Sequence, residues 1–96
     1  MTWQINWSEE ACKQLKKLDK SLKKAVTKYL RERVEAAVNP RDFGKALKYS
    51  NGQLWRYRVA DIRIICHIED DALTILVLRV GHRKSVYRDK VDVLLH

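Results

Sequence analysis

Residues 53–80 read QLWRYRV (53–59), AD (60–61), IRIICHIE (62–69), DD (70–71) and ALTILVLRV (72–80). Three runs rich in β-branched and aromatic residues, each separated from the next by two residues, predict the strands Gln53–Val59, Ile62–Glu69 and Ala72–Val80. Two-residue separations join strands as antiparallel hairpins. With Ala60 and Asp61 as the turn, Val59 pairs with Ile62, Arg58 stands opposite Arg63, and Arg56 opposite Ile65. Paired residues share a face. One face then carries Trp55, Tyr57, Val59, Ile62, Ile64, Cys66 and Ile68, a set suited to a core. The other carries Leu54, Arg56, Arg58, Arg63, Ile65 and His67.

Two arginines opposed across a ladder repel each other and weaken the hairpin. A compensating anion is therefore expected. A phosphate suits the planar guanidinium fork; the alternative is that Asp or Glu side chains neutralise the pair, although none lies near it on that hairpin face.

Upstream of the hairpins, Trp3, Ile5 and Trp7 alternate with Gln4 and Asn6, the period of a half-buried strand. Ser8 can cap a helix whose first turn holds Glu9 and Glu10 and whose apolar stripe is Ala11, Leu15 and Leu18. Asp19–Ser21 makes a break, after which Leu22, Val26, Tyr29 or Leu30, Val34 and Ala37 predict a second, longer helix ended by Asn39–Pro40. Residues 41–53 show no clean period and read as a loop closing on Asn51–Gly52. A terminal amphipathic segment from about Tyr87 to Leu95 reads as a short helix. The expected fold is α+β: an N-terminal strand, an α-helical hairpin, a three-stranded antiparallel meander completing a four-stranded sheet, and a short C-terminal helix.

Ninety-six residues suit one domain over 1–96 with one core. Against 12 acidic residues stand 20 Lys and Arg, a formal net charge of +8 spread along the chain rather than gathered in a tail. That balance points to a polyanionic partner carried by the fold itself, with most helix lysines solvated. Cys12 and Cys66 lie in unlike contexts and suggest neither a disulfide framework nor a metal site. Carboxylates and histidines lack ligand spacing, so no metal or other cofactor is expected. Residues 1–8 lack a signal-peptide pattern, and no apolar run approaches the roughly 20 residues that span a bilayer. The expected location is cytoplasmic.

The last informative stretch is GHRKSVY (81–87), placed where a strand ends and the terminal helix begins. Loops in that position present reactive groups over a rigid sheet. Together with the Arg56, Arg58 and Arg63 segment, this pattern resembles the RelE/ParE superfamily of toxins over nearly the whole chain, with its weakest match in residues 41–51. The resemblance implies a RelE-type ribonuclease of a type II toxin-antitoxin system, which cuts messenger RNA on the ribosome and is held in check by a cognate antitoxin. It implies catalytic roles for Arg58, Arg63, Arg83 and Tyr87, and RNA binding by Arg56, Lys48, His82 and Lys84. Arginines stand here where the family pattern has a basic lysine pair, and an Arg holds phosphate well but is a poor base. Tyr87 is the implied general base, since nearby cations favour its phenolate; His82 and His67 are alternatives. The superfamily also includes ParE-type gyrase poisons, which bind rather than cut, and Arg58, Arg63, Arg83 and Tyr87 together favour the nuclease.

Overall fold

Alternation at the N-terminus builds the first strand as expected. In the computed structural model, which describes residues 2–48 and 50–82, β1 spans Gln4–Trp7 with Ile5 and Trp7 half-buried and Gln4 and Asn6 exposed. Trp3 is buried just before it, its indole Nε1 donating to Val38 O at 3.3 Å. Ser8 caps α1 (Glu9–Lys17) by accepting from Ala11 N–H at 3.0 Å, and Glu9, Glu10, Lys16 and Lys17 complement the helix dipole at its two ends. Asp19 caps α2 (Lys20–Tyr29) by accepting from Leu22 N–H at 2.9 Å, and that bond with the Ser21 hydroxyl holds its carboxyl below the usual range. The long second helix expected from the period is α-helical only to Tyr29. It continues over Leu30–Glu35 as a π-helix, within which Leu30 and Val34 stay buried against the core.

Among the described residues the sheet has five strands, not the expected four, in the order β1-β5-β4-β3-β2. The extra strand, β2 (Lys45–Ala46), comes from the segment read as a loop. Gly44 makes it possible: at φ +71°, a Cβ there would lie 2.2 Å from Arg56 O, so only glycine allows this approach to the neighbouring strand. Lys45 then pairs with Arg56 and Ala46 with Trp55. β3 (Leu54–Val59) and β4 (Ile62–Glu69) form the expected hairpin in the expected register, Val59 opposite Ile62 and Arg58 opposite Arg63.

The next connection differs from a two-residue turn. Glu69 pairs with Thr74, so residues 70–73 make the loop, with Leu73 at φ +49°, and β5 spans Thr74–His82. β5 also carries a bulge, since Ile65 pairs with Arg79 but Cys66 with Val77, leaving Leu78 extra. Finally, β1 runs parallel to β5, which makes the sheet mixed.

The helices cover one face of this sheet. Tyr57, Ile62, Ile64, Cys66, Ile68, Ile75, Val77 and Val80 meet Ala11, Val26, Leu30 and Val34 there, as the hairpin alternation requires. Tyr57 is fully buried, and its hydroxyl donates to Pro40 O at 2.8 Å. Cys66 is buried and Cys12 exposed, both as free thiols. Among the described residues no helix is long and apolar enough to cross a membrane. The expected terminal helix from Tyr87 to Leu95 lies outside the described residues.

Candidate nucleic-acid interface

Charge collects on the face of β3 and β4 turned away from the helices. Arg58 and Arg63 are cross-strand partners next to the Ala60–Asp61 turn. Arg58 Nε donates to Ala60 O at 3.3 Å, and Arg63 Nη1 donates to the same oxygen at 3.4 Å. Ala60 sits at φ +54° in that turn. One partly negative oxygen therefore lies between two guanidinium groups, which eases their repulsion while occupying one of the five N–H donors on each. Among the described residues no carboxylate forms an ion pair with Arg58 or Arg63. The turn holds two cations side by side with donors to spare, an arrangement that a phosphate oxygen can satisfy.

Around this pair the same face carries a row of cations. Lys45 stands opposite Arg56, Arg56 opposite Ile65, and Ile65 opposite Arg79. Arg79 Nη1 lies 3.4 Å from Glu10 Oε1 on α1. Lys45 and Arg79 were not among the expected site residues. Lys45 was hidden in a segment without period, and the unbroken apolar run of β5 gives no phase from which to tell that Arg79 faces outward. The bulge at Leu78 sets that phase, because one extra residue moves everything after it to the opposite face. Ile65, read as part of the polar face, is 2% exposed and packs with Leu47 and Leu54 in a second, smaller apolar cluster.

The other expected residues are placed less uniformly. Lys48 is exposed just after Leu47, whose N–H bonds Leu54 O, and so lies toward the far end of β3 from the Ala60 turn. His67 is four residues from Arg63 along β4, roughly 13 Å, with Nδ1 at 3.5 Å from Glu69 Oε1. His82 pairs with Ile62, which puts it on the helix side of the sheet, where it helps to hold the Asp19 carboxyl low. The structure thus brings Arg56, Arg58 and Arg63 together and leaves Lys48, His67 and His82 apart from them. Arg83, Lys84 and Tyr87 lie outside the described residues. No group of three His, Cys, Asp or Glu side chains gathers as metal ligands would among the described residues.

Arg41, another basic residue close to this sheet, is structural. Its guanidinium bonds both Asp70 oxygens, at 2.7 and 3.0 Å, donates to Gly52 O and lies 5.8 Å from the Trp55 ring centroid. That bidentate bond holds Asp70 below the usual carboxylate range.

Known proteins resemble this chain in sequence and fold. Residues 5–87 match the family described as the ParE toxin of the type II toxin-antitoxin system parDE. No curated protein matches the chain. Among solved structures, the Mycobacterium tuberculosis toxin-antitoxin complex RelBE2 is similar at 24% identity and a TM-score of 0.76, covering 86% of this chain and 93% of that one. A doubly substituted mutant of the E. coli toxin RelE in the free state gives 22% identity and a TM-score of 0.76, covering 96% and 97%. The Methanococcus jannaschii RelB-RelE antitoxin-toxin complex gives 26% identity and a TM-score of 0.68, covering 85% and 94%.

Proposed function

Because the chain belongs to the ParE toxin family of type II toxin-antitoxin systems, within the RelE/ParE superfamily, we propose that it is the toxin of such a pair and acts as a ribosome-dependent endoribonuclease. The observation that carries this reading is the Arg58–Arg63 pair, opposed on the open face of the sheet without a carboxylate partner among the described residues. A surface selected only for solubility gains nothing from such a pair. A site for the charge that builds on phosphate gains two cations held in place.

In this reaction the ribose 2′-oxygen attacks the adjacent phosphorus. A bond forms between O2′ and phosphorus, the bond from phosphorus to the 5′-oxygen breaks, and the products are a 2′,3′-cyclic phosphate and a free 5′-hydroxyl. RNA supplies its own nucleophile, so the protein needs a base, cations for the phosphate oxygens and help for the leaving group. Arg58 and Arg63 hold the phosphate, with Arg56 on the flanking backbone. By the family resemblance, Arg83 stabilises the charge on the leaving 5′-oxygen, which takes its proton from water, Tyr87 takes the 2′-hydroxyl proton, and Lys84 adds to RNA binding. No step calls for a metal. Ribosomes place this activity in the cytoplasm. Several similar structures are complexes with RelB antitoxins, which supports a cognate antitoxin as this chain's partner in a hetero-oligomer.

A second reading follows from the matched family itself, which is the ParE one: a toxin that binds and poisons DNA gyrase without cutting RNA. Tyr87→Phe separates the two readings. Loss of a general base lowers rate by about a hundredfold to ten-thousandfold, whereas one lost hydrogen bond in binding is worth about 0.5 to 1.5 kcal/mol, roughly tenfold. The nuclease reading expects single-turnover cleavage of messenger on ribosomes to fall by the larger factor while ribosome affinity changes little. A wild-type protein that binds gyrase and leaves messenger whole supports the gyrase reading instead.

A further inference from the structure

β5 outlasts the strand beside it. β1 ends at Trp7, opposite Val77, while β5 runs on through Leu78–His82. Backbone groups on that edge lose their strand partner, yet Val80 is buried and its N–H needs an acceptor. The Ser8 cap and Gln14 of α1 take over the ladder. Ser8 N–H donates to Val77 O at 2.9 Å and Ser8 Oγ to Leu78 O at 3.1 Å. Gln14 Oε1 then accepts from Val80 N–H at 2.7 Å. Gln14 Nε2 reaches Glu10 Oε1 at 3.4 Å, and that carboxylate oxygen is also 3.4 Å from Arg79 Nη1.

We propose that Gln14, supported by Glu10, is a positioning residue for the phosphate site: it fixes the end of β5 and, through it, Arg79 and the Gly81 backbone beside Arg63. The inference rests on the nuclease reading above. Its geometry is local to the site, because Gly81 stands opposite Arg63 and Arg79 opposite Ile65. Movement of this strand end shifts the flank of the Arg58–Arg63 pair without touching the pair itself. An error of about 1 Å in placement is enough to lower a rate by about a hundredfold.

The test compares Gln14→Leu, which keeps a helix-forming side chain of similar length and removes the acceptor, with Gln14→Glu, which retains an acceptor oxygen. Amide exchange at Val80, single-turnover cleavage of messenger on ribosomes, and ribosome affinity are measured on the full chain. Gln14→Leu is expected to speed Val80 exchange at least about tenfold and to slow cleavage by about a hundredfold, with ribosome affinity within about twofold. Gln14→Glu keeps the acceptor for Val80 but replaces the Nε2 donor to Glu10 with a second carboxylate, so it is expected to restore Val80 protection and only part of the rate. Glu10→Gln keeps the Val80 bond and weakens the hold on Arg79 alone, so it should slow cleavage by a smaller factor and leave Val80 protected. Unchanged cleavage in folded Gln14→Leu overturns the proposal, as does a parallel fall in rate, affinity and melting temperature that Gln14→Glu does not rescue. If the wild-type protein leaves messenger whole, the nuclease reading fails, and growth inhibition replaces cleavage as the readout. Full toxicity of folded Gln14→Leu with fast Val80 exchange then overturns the positioning role by itself.

Discussion

Under the proposed function, activity and stability pull apart at a single residue, Arg63. Its partner across the ladder is another arginine, and the Ala60 carbonyl they share offsets only part of the repulsion. Arg63→Ala is therefore expected to abolish growth inhibition while melting at the wild-type temperature or slightly above it; full toxicity in a folded variant contradicts the phosphate role. Tyr57 is the opposite case, a polar atom in the core with one visible task. Tyr57→Phe leaves Pro40 O without its donor and should cost about 0.5 to 1.5 kcal/mol in thermal unfolding. Burial also raises the ionisation of Tyr57 and of Cys66 above their ordinary ranges. Each holds its proton more tightly in the folded chain than in the unfolded one, so the stabilisation is complete below the ordinary value and is lost as pH rises past it. Melting temperature should fall from about pH 8 to about pH 10, where free Cys and Tyr begin to ionise, and Cys66→Val should make that fall shallower.

At the scale of elements, the β3–β4 hairpin was legible because its two-residue turn and alternating side chains agree on one register, which assigns Arg58, Arg63 and the core face together. Helix starts at Ser8 and Asp19 were legible because caps are local chemistry. What escaped depends on contacts distant in sequence. β2 exists because Gly44 lets the chain pass against Arg56 O, a fact about the neighbouring strand rather than about residues 41–53. The β5 bulge arises between two apolar runs in which no alternation marks a phase, so the outward direction of Arg79 could not be read. The parallel β1–β5 pairing joins strands about 70 residues apart in sequence. Gly44→Ala tests the first of these: with a Cβ in that space at a positive φ, it should destabilise the protein by more than about 1 kcal/mol and detach β2, read as faster amide exchange at Leu47, whose N–H bonds Leu54 O. Unchanged exchange and melting would show that the close approach is not required.

For the whole molecule, the net charge of +8 and the row of cations on one sheet face suit a polyanionic partner, which under the proposed function is RNA held by its backbone. RNA affinity should fall linearly with the logarithm of salt concentration, and Arg58→Ala should reduce that slope by about 0.7, the loss of one phosphate contact on a single strand; an unchanged slope places the RNA elsewhere. Binding alone, however, does not distinguish a nuclease from a toxin that only docks. The most direct measurement is the chemistry of the messenger ends left after purified wild-type protein acts on programmed ribosomes, with the Arg63→Ala protein beside it. The account predicts a new 5′-hydroxyl end and a 2′,3′-cyclic phosphate at the ribosomal A site, formed by the wild type and absent with the variant. Intact messenger, or ends bearing 5′-phosphate, would contradict it.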